Sequence, residues 1–282
     1  MTVKPKSHVL FVAPCDAKTS AMTFIDQLNR TVQVADYPQR IVSTVPSQTE
    51  LLADLGLERE VVGITKFCTS PDQWFRSKQR IGGTKTLKLE AIASLEPDLI
   101  LANKEENDQA QMEWLMARFP VWISDVRTLG DATAMIEAAG QITRRETEAG
   151  RIVNRIKDRF HQLALPTAPI RTAYLIWSNP FMSINADTFI HSMLQASGCI
   201  NVFAHRNDSR YPVVSEQALI EAQPELVLLS SEPFPFNEAH CDAMRLLLPD
   251  AHVMLADGAM FSWYGSRLAQ FDPRPYTAPF SL

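Results

Sequence analysis

No apolar run in this 282-residue chain approaches the roughly 18 residues that span a bilayer, so no membrane insertion is expected. There is no excess of basic residues either. Lys and Arg number 27 against 32 Asp and Glu, a net charge of -5 with no basic run, so nucleic acid is not an expected partner. Cysteine is scarce: Cys15, Cys68, Cys199 and Cys241 lie far apart and form no C-x-x-C pair. That spacing argues against a zinc site or a redox pair and fits buried, reduced thiols, although a Cys68 to Cys199 disulfide is compatible with the sequence. Glycine is sparse as well, and GGTKT at 82–86 lacks the GxxxxGK[ST] spacing of a phosphate loop, so it reads as a tight turn at the rim of a cleft. G-x-S-x-G, HExxH and GxGxxG are all missing, which makes binding a simpler reading than catalysis.

With 46% hydrophobic residues the chain can fill the cores of two modest domains. Met1 to Cys15 carries Lys4 and Lys6 and then VLFVAPC, which has the look of a shortened lipoprotein signal. Its apolar part is only about five residues where a signal needs about 7–15, and Pro14 precedes the cysteine. Residues 1–21 are therefore read as a tail, and the protein as cytoplasmic, with a periplasmic or lipid-anchored location as the alternative.

From residue 22 the chain opens with a hairpin-like stretch, TFIDQLNRTVQVADYPQR, turning near Asn29. Short apolar runs (RIVST, EVVGIT, RIGGT, PDLILAN, PVWISDV) then alternate with helical segments at 47–55, 88–95 and 107–118, the pattern of an α/β lobe over 22–128 with a mainly parallel sheet. In VPSQTELLADLG, Ser47 and Glu50 have capping-box spacing, so a helix is expected to start at Ser47 and point its positive end at protein or at a ligand. Residues 129–163 contain no proline and keep apolar residues near helical spacing, which predicts one connecting helix close to ~50 Å long, with Gly140 and Gly150 as places where it can break. LPTAPIR stops that helix. A second lobe over 164–282 repeats the first: LEAIASLEPDLILA (89–102) echoes EQALIEAQPELVLLS (216–230), with Pro97 aligned to Pro224 and Asp98 to Glu225. Two such lobes leave a cleft between them.

The opening DQLNRTVQVADYPQRIVSTVPSQTELLADLGLEREVVGIT, the RIGGTKTLKLEAIASLEPDLILA block, the long helix and the second-lobe repeat together resemble the helical-backbone metal receptors. These are the substrate-binding proteins of ABC importers for cobalamin, iron-siderophores and heme, and the resemblance is closest to the cobalamin branch over about residues 22–270. It implies a class III periplasmic-binding-protein-like fold, a metal chelate bound in the cleft as cargo with no required cofactor, and an importer permease as partner; the sequence says little on oligomeric state, for which monomer is the default. It also implies that the Ser47 helix faces the cleft, and that each lobe carries a surface glutamate for permease docking. Glu90 matches the first, while the second lobe has Gln217 at the matching position with Glu216 one residue earlier.

Ligands of open α/β sheets bind outside the carboxyl ends of the strands. The candidate contacts there are Ser47, Lys66, Phe67, Thr84, Asn103, Lys104 and Arg127 from the first lobe. Trp177, Asn179, Arg210, Tyr211, Ser231, Glu232, Phe261, Trp263 and Tyr264 come from the second. The aromatics suit the flat face of a corrin or porphyrin, and the polar and charged residues suit its edges. His205 is the candidate axial metal ligand, without a partner at metal-ligand spacing. Because a long helix resists bending, cleft closure is expected to be small. The competing class is a cytosolic enzyme acting on a tetrapyrrole-like or other small molecule with a cleft carboxylate such as Glu232 or Asp257.

Overall fold

The computed structural model describes residues 21–280, so Cys15 and the signal-like stretch lie outside the described residues. Strands β1 (Ala21–Ile25) and β2 (Thr31–Ala35) pair antiparallel, and Asn29 takes the left-handed conformation (φ 60°) that closes the turn. The first lobe then runs β3 (Ile41–Ser43), α1 (Pro46–Asp54), β4 (Val61–Ile64), α2 (Asp72–Ser77), β5 (Gln79–Arg80), α3 (Leu89–Ala93), β6 (Leu99–Asn103), α4 (Gln109–Met116) and β7 (Val121–Ser124). Its sheet is parallel throughout, in the order β5-β4-β3-β6-β7. Helices α5 (Leu129–Ile142) and α6 (Glu146–His161) lead to the second lobe, built from β8 (Ile170–Leu175), α7 (Phe189–Ala196), β9 (Cys199–Asn201), α8 (Glu216–Ala222), β10 (Leu226–Ser230), α9 (Glu238–Leu247), β11 (His252–Ala256) and α10 (Gly258–Ser262). That sheet is also parallel, in the order β11-β10-β8-β9. Strands β3 and β8 therefore hold the same place, each where the strand order reverses.

The internal repeat extends to hydrogen bonds. Glu96 (φ 45°) and Gln223 (φ 43°) are both left-handed just before Pro97 and Pro224. The next residue, an acid in each lobe, then clamps the start of the central strand. Asp98 accepts from the backbone N–H groups of Gln39 (2.7 Å) and Arg40 (2.8 Å), and Glu225 accepts from that of Arg171 (2.9 Å). Both arginines donate back to carbonyls before their proline, Arg40 to Leu95 and Arg171 to Gln223.

The connecting segment is helical but not one rod. It breaks at Thr143–Arg145, where Arg144 is left-handed (φ 55°), rather than at Gly140 or Gly150. Gly140 serves another purpose: a Cβ built there would lie 2.4 Å from the Cβ of Ala149, so its bare backbone lets α5 and α6 close on one another.

Strand alternation divides the apolar side chains between three cores. Leu99 and Leu101 of β6 and Leu226 and Leu228 of β10 point to one continuous central core. Ile100 and Ala102 face an outer core of the first lobe, and Val227 and Leu229 face that of the second. The central core also takes Leu51 and Leu52 of α1, Ile136 of α5, Ile152 and Ile156 of α6, Met193 of α7 and Phe261 of α10. One hydrophobic cluster thus belongs to both lobes. Gly140→Val should cost about 1–3 kcal/mol in urea unfolding through overpacking. Both lobes should unfold in a single transition, with tryptophan fluorescence and far-UV circular dichroism coinciding; separated transitions would show that the core is not shared.

Candidate functional site

Because every strand from β3 onward is parallel within its sheet, the loops after their carboxyl ends gather on one side of each lobe, and these loops carry the contacts between lobes. One close approach is at α1. This helix begins at Pro46 with Val45 as its N-cap and has no side-chain cap, so the expected capping box is not formed. Ser47 instead meets the other lobe, where a Cβ on Gly265 would lie 2.6 Å from the Ser47 carbonyl oxygen. Glu50 takes a fork of two hydrogen bonds from Arg267 (3.0 and 2.7 Å) across the same seam, and the Arg267 guanidinium lies over the Trp263 ring at 4.7 Å.

A chain of ion pairs also crosses the seam. Lys104 pairs with Asp125 (2.8 Å), Asp125 with Arg127 (3.2 Å), Arg127 with Asp187 of the second lobe (2.8 Å), and Arg210 with both Asp187 (3.6 Å) and Glu105 of the first (3.4 Å). Burial pushes the Asp125 carboxyl up, but Lys104 and Arg127 hold it below the usual carboxylate range.

Beside that chain stand Glu105, Glu106 and Glu232. Burial is the main force raising the pKa of both Glu105 and Glu106; Arg210 and Lys85 oppose it at Glu105, and Glu105 adds to it at Glu106. Glu232 is held by Ser262 (2.9 Å) and the Trp263 indole N–H (3.0 Å). Buried polar atoms of the seam without a partner include Glu105 Oε1 and Arg210 Nη2, while the Tyr264 hydroxyl lies close to those of Ser47 and Ser124. Unpartnered buried polar groups cost about 1–3 kcal/mol each.

The predicted residues fall into distinct places. Phe67 is 51% exposed beyond β4, with Lys66 over its ring at 4.9 Å, and Trp177 is 41% exposed beyond β8 with its ring edge-on to Phe234 at 5.5 Å. Thr84 lies in the loop after β5, where its carbonyl accepts from Asn107 (3.0 Å). Asn179 is exposed, Tyr211 packs partly on the central core, and Ser231 accepts from the Gly258 N–H (3.0 Å). Phe261 is only 1% exposed and packs with Tyr174, Phe271 and Tyr276, so its ring is turned away from the cleft. Asn103 is buried and bonded to Ser124, tying β6 to β7. His205 is exposed, and among the described residues no group of three or more His, Cys, Asp or Glu is arranged to hold a metal. Glu90 and Glu216 are exposed in the first turns of α3 and α8, the corresponding helices of the two lobes. Cys68, Cys199 and Cys241 are buried free thiols.

Sequence reasoning missed Glu105, Glu106, Asp187 and the Glu50–Arg267 pair. The signal for the first two was present, as two adjacent acids directly after a fully apolar strand.

A family model described as periplasmic binding protein matches residues 41–246. Among curated proteins, the chain is 25% identical over 202 residues to the vitamin B12-binding protein of Pectobacterium atrosepticum, covering 68% of this chain and 71% of that one. Among solved structures, it is similar in fold to the periplasmic vitamin B12 binding protein BtuF of Vibrio cholerae (TM-score 0.68, 20% identity, 83% of this chain and 93% of that one). The periplasmic heme binding protein HutB of Vibrio cholerae shares the fold as well (TM-score 0.71, 21% identity, 86% and 99%).

Glu106→Gln should report on the half-buried acid pair. Since the folded-state pKa of Glu106 is raised, the ionised wild-type carboxylate is the destabilising form, and it accumulates as pH rises through that pKa. The variant should therefore melt higher than wild type near about pH 8 and lose that advantage near about pH 4. An equal difference at both pH values would contradict the assignment.

Proposed function

The chain belongs to the periplasmic binding protein family, and on that premise we propose that it captures a metal chelate, a corrinoid before heme or a ferric siderophore, between its two lobes and presents it to an ABC importer. Membership overturns the cytoplasmic expectation, since the matching family and the BtuF and HutB structures are periplasmic; the periplasmic alternative fits. The family is one of binding proteins and not of enzymes, so the chelate is cargo and the protein needs no cofactor of its own.

One observation carries the ligand class. Phe67 and Trp177 stand exposed at strand carboxyl ends of opposite lobes, and Trp263 of the second lobe is half-buried. Large rings left uncovered at a concave strand-end surface have no core to serve, and a planar macrocycle offers them a matching face. The polar chain from Lys104 to Glu105 then lies where the edges of such a ligand would rest. The B12-binding relative supports choosing a corrinoid first. For the importer, Glu90 and Glu216 supply an exposed carboxylate on the corresponding helix of each lobe, in positions to meet basic residues of a permease.

Titration of the purified protein with cobalamin, cobinamide, heme and a ferric siderophore, followed by absorbance and tryptophan quenching, should give saturable binding of a corrinoid with Kd of about 1 μM or tighter. Trp177→Ala and Trp263→Ala should each weaken it about tenfold, near 1.4 kcal/mol; absence of binding by every chelate would overturn the reading. The double variant Glu90→Ala/Glu216→Ala should keep full chelate binding and lose permease-dependent uptake. Unchanged uptake would remove these glutamates from docking.

A further inference from the structure

Trp263 is held from both lobes. Its backbone N–H closes α10 on the Ala259 carbonyl (3.0 Å), and its indole N–H donates to Glu232 Oε1 (3.0 Å), which also accepts from the Ser262 hydroxyl (2.9 Å). Those partners all belong to the second lobe. The ring itself lies under the Arg267 guanidinium, 4.7 Å from the ring centroid. Arg267 sits in the short turn Ser266–Gln270 and is anchored across the seam, where its Nε and Nη2 donate to the two carboxylate oxygens of Glu50 on α1 (3.0 and 2.7 Å). Glu50 accepts a third hydrogen bond from the Ser70 hydroxyl of its own lobe (3.2 Å). Gly265 lets this turn come so close to α1, since a Cβ there would meet the Ser47 carbonyl oxygen at 2.6 Å.

We infer that Glu50 is a positioning residue of the chelate site: from the first lobe, through Arg267, it fixes the orientation in which the Trp263 ring of the second lobe meets the chelate. The inference rests on the chelate-binding reading above and deepens it. The two charges suit the ring, for a carboxylate takes its N–H and a cation its electron-rich face. Cation and ring attract only weakly where water reaches them, and a free arginine side chain has many rotamers. A carboxylate fork fixes the plane of the guanidinium, and with it the surface on which the indole rests. The ring contacts of Phe67 and Trp177, with Lys66 and Phe234, come from within their own lobes. The orientation of Trp263 depends instead on the register between the lobes. A ring already fixed loses less rotamer freedom when a flat ligand stacks on it, so the tether favours binding.

The test follows Trp263 itself. Acrylamide quenching of tryptophan emission is measured on wild type and Glu50→Gln, each less its Trp263→Phe counterpart so that the other tryptophans subtract out. The same proteins are titrated with cobalamin, heme and a ferric siderophore. In Glu50→Gln the Trp263 emission should be quenched about twofold more steeply, and the chelate that wild type binds should bind about fivefold more weakly. In the Trp263→Phe background Glu50→Gln should cost no further affinity, a result that a merely structural role of Glu50 would not produce. Arg267→Lys keeps the charge and loses the fork, so it should behave as Glu50→Gln does, and it supplies the answer if Glu50→Gln does not fold. Unchanged quenching, or the same loss of affinity with and without Trp263, overturns the inference and leaves chelate binding standing. If wild type binds none of the chelates, the chelate reading falls and the role of Glu50 falls with it.

Discussion

Everything in this molecule depends on a hydrophobic core that two lobes share. The inner faces of both sheets, helices α1, α5, α6 and α7, and Phe261 enter a single buried cluster. Separating the lobes would expose that cluster to water, at about 25 cal/mol for every Å² of apolar surface. Here the lobes share that surface, and the loops at the strand carboxyl ends meet closely; Gly265 against the Ser47 carbonyl marks how close that is.

On this rigid frame the seam is polar and incompletely satisfied. The ion-pair chain from Lys104 to Glu105 and the Glu50–Arg267 fork tie the lobes at the rim. Such partly exposed pairs contribute little each, about 0–1 kcal/mol, so the core holds the lobes while the pairs set register and potential. Glu105 and Arg210 each leave a buried polar atom open. The core and the polar seam thus lie side by side between the lobes.

Much of the fold was legible because its signals are periodic. Apolar runs marked the strands, and the echo of Pro97–Asp98 in Pro224–Glu225 marked equivalent junctions, where the acids clamp equivalent strands. The helix break was not legible, since Arg144 adopts a left-handed conformation that neither Gly nor Pro announces. Ser47 and Glu50 were misread for a related reason: capping-box spacing looks the same whether the side chains turn to their own helix or to another lobe. At the site, the rule of strand carboxyl ends pointed to loops that meet between the lobes. Which ring within FSWYG packs inward is decided by contacts with Tyr174 and Phe271 that lie far away in sequence. Glu105 and Glu106 were passed over because adjacent acids ordinarily lie in water, whereas here both are half-buried.

The most direct test of the shared core is the distance between the lobes. Spin labels can be placed at the exposed Ala110 on α4 and Ala239 on α9, after replacement of both by cysteine and of Cys15 by serine, since Cys68, Cys199 and Cys241 are buried. The account predicts one narrow distance distribution that moves by less than about 2 Å when a bound chelate saturates the protein. Two populations in the free protein, or a shift beyond about 5 Å on binding, would contradict it and return the lobes to a hinge.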